Sequence, residues 1–295
     1  MSLIIRLPHS HASVHAEPME TNSLAPGLYI VATPIGNLGD MTRRAIDVLG
    51  AVSVIACEDT RVTGKLLSHL GIRKPMRRYD DHADASARDG LLELMRSEPV
   101  ALVSDAGTPL ISDPGYRLVR AARAEGIAVT SLPGPSAVIT ALTLAGLPTD
   151  RFMFAGFLPA KEKARADTLA ELAAVPATLV FYDTGPRLAD TLDAMAVHLP
   201  GREIAVAREL TKLFEECRSG SAADLADHYR SHPPKGEIVV LAGPPQAPEA
   251  PDEDTVETAL REALTRLPPS QAAKEVARAF GLDRKDLYAR ALSLP

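Results

Sequence analysis

The chain has 295 residues, of which 46% are hydrophobic and 24% are charged. This composition predicts about two folded domains, with room for a small third, and excludes wholesale disorder. The net charge of −6 excludes a protein that coats nucleic acid by bulk charge, so any nucleic-acid site is a local patch. No apolar run reaches the roughly 18 residues of a membrane span, so we expect no membrane association. Two distant cysteines, Cys57 and Cys217, favour a cytoplasmic location.

Residues 1–26 are interpreted as a flexible, mostly polar tail. Its histidines at positions 9, 11 and 15 are attributed to that tail and not to a metal site.

Between Leu28 and Leu132, short apolar runs alternate with helical stretches of ten to twenty residues. The runs are LYIVAT, VSVIAC, VALVSD and IAVTSL. This alternation is typical of βα units, and strands that are apolar throughout are expected where helices cover both faces of a parallel sheet. The sequence therefore predicts an N-terminal α/β domain over residues 27–147.

A second set of strand-like runs follows: RFMFAGF, TLVFYD, EIAVAREL and GEIVVLAG. Their connections include a helical stretch over Pro186–His198 and a stretch over Leu210–Gly220 that reads as irregular. We predict a second α/β domain over residues 148–243, with a mixed sheet.

The segment 244–254 is rich in proline and acidic residues and is predicted to be a linker. Residues 255–295 contain only helical patterns and form a predicted helical appendage. One helix spans Pro269–Phe280 and ends at Gly281, and a second follows in RKDLYARAL, which is the outline of a helix-turn-helix. The predicted fold is thus two α/β domains and a small C-terminal helical domain.

Four successive strand ends in the first domain carry glycine, proline and small polar residues: PIGNLGD (34–40), EDTR (58–61), AGTPLISDPG (106–115) and PGPSA (133–137). Ligands bind beyond the carboxyl ends of parallel strands, so these loops predict a site for a small polar ligand. Asp113-Pro114 is predicted to begin a helix, and Ser136 either caps the next helix or contacts the ligand. The sequence lacks the glycine-rich dinucleotide and P-loop motifs, the nucleophile elbow and zinc motifs.

Six segments in this order resemble one known family: TPIGNLGD (33–40), ACEDTR (56–61), SDAGTPLISDPG (104–115), LPGPSA (132–137), FLP (157–159) and RELTKLFEE (208–216). The family methylates a cytidine 2′-hydroxyl in small-subunit ribosomal RNA and is a branch of the tetrapyrrole methylase superfamily. The resemblance runs from about Leu28 to Gly243, and the C-terminal helices resemble that family's helical appendage.

The resemblance implies that S-adenosylmethionine lies in the cleft between the two domains and that the protein is a homodimer. Carried over by motif, the cofactor-binding residues are Pro34, Asp105, Ala106, Gly107, Ile111, Ser112, Ser136, Ala137, Tyr182 and Ala207. The chain departs from the family pattern at His82-Ala83-Asp84, where the family has His-Asn-Glu. It also departs at residues 183–187, where a family histidine is replaced in Asp-Thr-Gly-Pro-Arg.

A ribose 2′-hydroxyl is a poor nucleophile while it is protonated, so a general base is useful. The candidates are Glu58 and Asp59, with Arg61 to position them or a phosphate. His82 is a further candidate, and Glu209 and Lys212 are expected to face the cleft from the second domain. The alternative for Glu58 and Asp59 is an ordinary capping pair for a helix from Thr60.

A local concentration of positive charge lies between residues 61 and 79, which contain no aspartate or glutamate. It consists of Arg61, Lys65, Arg73, Lys74, Arg77 and Arg78. Phosphate contacts from such a stretch would bind RNA in a salt-dependent manner, and the alternative is a solvated surface. The C-terminal helices carry further lysines and arginines, diluted by acidic residues.

The leading hypothesis is a 2′-O-methyltransferase that acts on small-subunit ribosomal RNA or on the 30S particle. One alternative is a methylase of the same superfamily that acts on a tetrapyrrole carbon, against which the basic stretch argues. The other is a DNA-binding regulator that senses a metabolite, against which the acidic overall charge argues.

Overall fold

A computed structural model describes residues 24–80, 85–245 and 252–294. Most of the predicted tail with its three histidines, residue His82, and most of the predicted linker lie outside the described residues. None of the described helices is both long enough and apolar enough to cross a membrane.

The N-terminal lobe is built on a parallel five-stranded sheet in the order β3-β2-β4-β1-β5. Its strands are β1 Gly27–Val31, β2 Val54–Cys57, β3 Met76–Arg78, β4 Pro99–Val103 and β5 Val129–Leu132. Its helices are α1 Arg43–Ala51, α2 Thr60–His69, α3 Ala85–Met95, α4 Tyr116–Ala124 and α5 Ala137–Leu144. Separate apolar clusters pack on the two faces of the sheet, which explains why β2 and β4 are apolar at every position.

The C-terminal lobe has a mixed five-stranded sheet in the order β6-β7-β10-β8-β9, in which only β6 and β7 are parallel. The strands are β6 Phe152–Phe157, β7 Thr178–Thr184, β8 Ile204–Arg208, β9 Glu216–Gly220 and β10 Glu237–Ala242. Its helices α6 Glu162–Leu172, α7 Gly185–His198 and α8 Ala222–Ser231 contribute to one apolar core.

Helix α5 joins the two lobes. Its residues Val138, Ala141 and Leu142 pack in one cluster with Val180 of β7 and Val239 of β10. Because Ile35 and Leu210 belong to the same cluster, the loop after β1 and the loop after β8 are held against each other. This packing fixes the carboxyl edge of the first sheet beside the second sheet.

Three helices follow: α9 Glu253–Leu264, α10 Pro269–Phe280 and α11 Arg284–Ser293. They share a core of their own that includes Val256, Leu260, Val276 and Leu287. Gly281 ends α10 in the left-handed conformation with φ 67°, as the sequence predicts for a glycine at that position. Two α/β lobes with a parallel and a mixed sheet, plus terminal helices, confirm the predicted fold class.

Two local predictions are wrong, and one strand was missed. Residues 216–220 of the stretch expected to be irregular form β9, and β3 was not predicted at all. Both are polar strands at a sheet edge, where few side chains are buried and no apolar pattern marks them. Helix α9 begins at Glu253, inside the predicted linker, and acidic residues at positions 253 and 254 suit the positive end of that helix.

The predicted helix start at Asp113-Pro114 is also wrong. Helix α4 begins at Tyr116 after Gly115, whose φ of 130° turns the chain into the helix. A Cβ at position 115 would lie only 2.7 Å from the Leu102 Cδ2 atom, so a glycine is needed there. Residues 110–114 therefore remain a loop, and Asp113 is not the N-cap of α4.

Candidate active site

A cavity of ≈ 410 Å³ opens between the two lobes. The N-terminal lobe lines it with loops that follow β1, β4 and β5, and the C-terminal lobe lines it with residues of β6, β7 and β10 and with Leu210. The volume lies within the range of roughly 300–1,000 Å³ that is usual for small-molecule sites. The four loop ends that the sequence singled out thus include three that meet a second lobe across a cavity.

The N-terminal wall of the cavity is held by hydrogen bonds between loops. Thr33 and Gly107 exchange two backbone bonds, with N···O distances of 2.8 and 3.0 Å. The Thr108 hydroxyl donates to the Pro135 carbonyl at 2.9 Å. Gly107 has a φ of 83°, and a Cβ there would crowd the Ile35 side chain. The wall is therefore formed before any ligand binds, which lowers the entropic cost of binding.

Backbone strain is concentrated on the two sides of this cavity. Among the described residues, four residues other than glycine have positive φ: Leu110, Ser112, Glu209 and Thr211, with φ between 49° and 75°. Two lie in the loop after β4 and two in the loop after β8. Such conformations cost about 1–3 kcal/mol each and cluster at functional sites, so the strain indicates a functional role for both loops.

Carboxylates gather at the carboxyl edge of the first sheet. The Asp59 backbone N–H donates to Asp105 Oδ1 at 3.2 Å, and Asp105 lines the cavity. Burial raises the pKa of Asp113 to about 6, and the charges of Glu58 and Asp105 act in the same direction. Burial, followed by Asp105, also raises the pKa of Glu58. The cavity wall is thus negatively charged and favours a cationic ligand.

Asp59 has the capping role that was the alternative to catalysis. It is the N-cap of α2 and accepts a hydrogen bond from the Arg61 backbone N–H at 2.8 Å. Its carboxylate also pairs with the Arg61 guanidinium at 2.6 Å. These bonds hold the pKa of Asp59 far below its ordinary value, which makes it a poor proton acceptor.

On the opposite side, Lys212 links two carboxylates. Its Nζ atom lies 3.0 Å from Glu209 Oε1 and 3.0 Å from Glu237 Oε2. Burial alone would lower the pKa of Lys212, but these two partners raise it, so the lysine stays charged. The Lys212 stem also packs against Gly36 of the N-terminal lobe, where a Cβ would lie 2.5 Å from Lys212 Cγ. Glu209 and Lys212 therefore stand at the junction of the lobes, and Glu237 lines the cavity.

Two family models match this chain. The family model of the Tetrapyrrole (Corrin/Porphyrin) Methylases matches residues 27–226, and the model of the RsmI C-terminal HTH domain matches residues 249–295. "Ribosomal RNA small subunit methyltransferase I" of Erythrobacter litoralis is 61% identical over 98% of this chain and 99% of its own length. The chain belongs to the ribosomal RNA small subunit methyltransferase I family. The family resemblance found in the sequence is thereby confirmed.

Other members of the ribosomal RNA small subunit methyltransferase I family are similar over most of their length. The protein of Mesorhizobium japonicum is 48% identical over 95% of each chain, and that of Escherichia coli O157:H7 is 46% identical over 90% of this chain and 94% of its own. A solved structure of diphthine synthase has a TM-score of 0.58 at 13% identity, covering 73% of this chain and 89% of that one. This last likeness shows the fold alone. As a member of this family, the chain is a methyltransferase enzyme and requires a methyl donor.

Eight of the ten residues that the family resemblance assigned to the cofactor line the cavity: Asp105, Ala106, Gly107, Ile111, Ser112, Ser136, Ala137 and Tyr182. Pro34 and Ala207 do not line it. Ala207 is fully buried in the core cluster shared by the lobes, and Ile35 lines the cavity in place of Pro34. The Ser136 side chain makes no capping bond to α5, which leaves its hydroxyl available to a ligand.

Sequence reasoning missed several lining residues, among them Thr108, Asp113, Phe157, Leu210 and Glu237. Asp113 was read as a helix cap. Glu237 begins β10, and nothing in its neighbourhood distinguishes it from a solvated strand end. The sequence did contain a signal for Leu210, because this residue lies in the motif Arg208–Glu216 that carries part of the family resemblance.

The basic stretch occupies one edge of the N-terminal lobe. Arg61 and Lys65 lie on α2, Arg77 and Arg78 lie on the edge strand β3, and Arg73 and Lys74 lie in the loop between them. Arg61 pairs with Asp59, and Arg78 lies 3.6 Å from Asp80. Because Arg78 is in register with Cys57 at the end of β2, this basic edge borders the loop that carries Glu58.

Proposed function

We propose that this chain transfers a methyl group from S-adenosylmethionine to the ribose 2′-hydroxyl of a cytidine in small-subunit ribosomal RNA. The observation that carries the proposal is the cavity between the lobes, with its carboxylates, in a chain of this family. The basic edge strand β3, which β2 separates from the strand β4 whose loop lines the cavity, supports an RNA substrate, and the 2′-hydroxyl itself would distinguish RNA from DNA. A small-subunit ribosomal RNA substrate supports a cytoplasmic location for the enzyme.

The cavity suits this methyl donor in size, charge and shape. Asp105 would present a carboxylate to its cationic groups, and the Ser136 hydroxyl is available at the start of α5. Ile35, Leu210 and Val239 offer an apolar wall for its flat ring. When bound, the donor supplies an electrophilic methyl group on a sulfonium. The chain's own task is to hold donor and ribose in line, because orientation alone can contribute about 7–11 kcal/mol.

Asp113 is the best-placed proton acceptor for the attacking hydroxyl. Its carboxyl lines the cavity, and its pKa of about 6 lets it be ionised at neutral pH yet still basic. Glu58 also has a raised pKa but does not line the cavity. Glu209 and Lys212 position the facing loop instead of taking the proton, since they neutralise each other.

We also propose that the enzyme is a homodimer. Edge strand β6 is apolar along its whole length, yet Phe152, Met153 and Phe157 are 45%, 41% and 52% exposed. Ile139 and Leu144 of α5 are exposed as well. An unpaired apolar edge strand is an aggregation risk unless another chain covers it, and a second copy is the simplest cover.

The two alternatives are not favoured. A tetrapyrrole substrate leaves the basic edge and the C-terminal helices without a role. A DNA-binding regulator does not account for the identity to methyltransferases over nearly the full chain.

Transfer of tritium from labelled S-adenosylmethionine tests the proposal. The acceptors are small ribosomal subunits and naked ribosomal RNA from cells that lack this protein, with a tetrapyrrole and duplex DNA as controls. We expect label on RNA alone, at one cytidine ribose located by mass spectrometry of the nucleosides. Label on a base or on the tetrapyrrole would contradict the proposal.

The donor site is tested separately by calorimetry. Asp105→Ala removes a cavity carboxylate and Ser136→Tyr fills the space beside α5, so we expect each to abolish measurable binding of S-adenosylmethionine. Asp47→Ala on the exposed face of α1 is the matched control and should bind like the wild type. Unchanged affinity in both cavity variants would refute the assignment.

A further inference from the structure

A second recess lies on the C-terminal lobe, and residues adjacent to its lining line the first cavity. This trough has a volume of ≈ 540 Å³, and its lining includes Glu209, Phe214, His228, His232 and Lys235. The chain is tightly packed between the two recesses, because a Cβ at Gly236 would collide with the Glu209 carboxylate. Glu209 in turn is linked through Lys212 to Glu237, which lines the first cavity. A molecule in the trough therefore lies next to the proposed reaction site.

The trough is made of rings more than of aliphatic side chains. The Phe214 side chain is 68% exposed at its mouth. The rings of His228 and His232 stack with their centroids 4.8 Å apart and their planes 19° apart. Desolvation, Arg218 and His232 lower the pKa of His228, which keeps that ring neutral at pH 7. Such flat faces suit a planar aromatic ligand better than an aliphatic protein side chain.

The charges of the trough fit a ligand that carries phosphate. Its two carboxylates are both paired, Glu216 with Arg208 at 2.6 Å and Glu209 with Lys212 at 3.0 Å, whereas Lys235 makes no ion pair within the described part of the chain. A flat ring system next to a phosphate is what an unstacked nucleotide presents, and proteins bind single-stranded RNA with aromatic platforms beside cations.

We propose that the trough binds an unstacked base of the RNA substrate, next to the nucleotide whose ribose is methylated, with Phe214 as the stacking platform. This inference rests on the proposed function for its substrate class. The loop after β8 that carries Phe214 also contains the strained residues Glu209 and Thr211, as expected of a segment with a functional role.

The test compares Phe214→Ala with a matched control in the full-length enzyme. Leu213 is the neighbouring residue, is 90% exposed and does not line the trough, so Leu213→Ala is that control. With small ribosomal subunits from cells that lack this protein as substrate, we expect Phe214→Ala to raise KM for RNA about 5- to 150-fold. Phe214→Tyr should retain wild-type KM, because its ring still stacks, and Leu213→Ala should do the same. Calorimetric affinity for S-adenosylmethionine should be equal in all four proteins.

Ultraviolet crosslinking to ribosomal RNA supplies a second readout that needs no methyl transfer. We expect mass spectrometry to find a nucleotide attached to the peptide that contains Phe214 or His232. An unchanged KM for Phe214→Ala, or crosslinks elsewhere only, would overturn the proposal. Sedimentation of Phe214→Ala as a smaller assembly than the wild type would also overturn it, since Phe214 would then be a subunit contact. If the wild type methylates no RNA, the proposed function fails, and the crosslinks decide the trough independently.

Discussion

Burial of the Asp113 carboxyl lowers the stability of the fold and would also suit that carboxyl to accept a proton. Its carboxyl lies in a cavity wall that already holds Asp105, and burial raises its pKa to about 6. A carboxylate that is hard to ionise is a better base than one that ionises freely, so the same burial that destabilises the charged fold prepares a proton acceptor. This trade predicts opposite effects of one substitution on activity and on stability.

Replacing Asp113 by asparagine keeps the shape and removes the base. We expect Asp113→Asn to lower kcat by about 10²- to 10⁴-fold. In the wild type, kcat/KM should rise with pH and level off above a midpoint near 6, because it reports the free enzyme and only the ionised carboxylate accepts a proton. The tritium assay between pH 5 and 8 measures both effects, and Asp47→Asn on α1 is the control. A wild-type profile that is flat across this range would argue against Asp113 as the base.

The same variant should be more stable at neutral pH. Asp113 has a pKa near 3.8 in the unfolded chain and near 6 in the folded protein. The free energy of unfolding of the wild type therefore falls as pH rises between these values, and the loss is complete above pH 6. With allowance for partial solvent access, we expect Asp113→Asn to raise the free energy of unfolding by about 1–2 kcal/mol at pH 8. The gain should vanish below pH 4. Urea unfolding at the two pH values measures it, and equal stability at pH 8 would contradict the buried position of the carboxyl.

At this scale the sequence indicated most of the cavity but not its chemistry. The family resemblance assigned Asp105, Gly107 and Ser136 to the cofactor, because the ordered set of six motifs is specific to that family. Asp113 escaped because Asp-Pro is a common helix start, and only the φ of Gly115 shows that the helix begins later. Glu58 and Asp59 are adjacent in sequence, yet Asp59 caps α2 while Glu58 does not, and no local pattern separates the two.

Among the elements, the edge strand β3 is short and carries charge where other strands carry apolar side chains. Its three residues, Met76–Arg78, pair with β2 on one side only. A strand of this kind leaves no periodic signal in the sequence, which is why the basic stretch was recognised by its charge and not as a strand. The pairing holds two arginines in extended geometry beside the loop of Glu58, where we propose that they contact RNA.

Reversing the charge of this strand tests its role in RNA binding. We expect the double variant Arg77→Glu with Arg78→Glu to weaken RNA binding at least tenfold and to make the affinity less dependent on salt concentration. Affinity for S-adenosylmethionine should not change. Arg120→Glu with Arg123→Glu on α4 makes the same charge change elsewhere in the lobe and is the control. Filter binding at several salt concentrations measures the effect, and equal losses in both double variants would mean that only net charge matters.

For the whole molecule, the arrangement of the lobes was more predictable than the surfaces they leave uncovered. Apolar runs and helical stretches specify a parallel and a mixed sheet, because buried strands have to be apolar. The exposed face of β6 has the same composition as a buried strand, so the sequence alone could not distinguish a buried strand from an exposed one.

A charge on β6 tests the assembly. We expect the wild type to sediment as a dimer and Met153→Lys to sediment as a monomer, because a lysine ammonium would be desolvated in an apolar interface. Val197→Lys introduces the same side chain at an exposed position of α7 and should remain dimeric. A monomeric wild type, or a dimeric Met153→Lys variant, would count against β6 as the contact.

Gly36 lies at the junction of the two lobes, where it contacts the Lys212 stem. The Lys212 stem occupies the volume in which any larger residue at position 36 would place its first carbon. At position 36, only the hydrogen of a glycine fits between the backbone of the N-terminal lobe and the Lys212 stem of the C-terminal lobe. A methyl group at position 36 would therefore displace the Lys212 stem or the backbone at Leu210, a residue that lines the cavity.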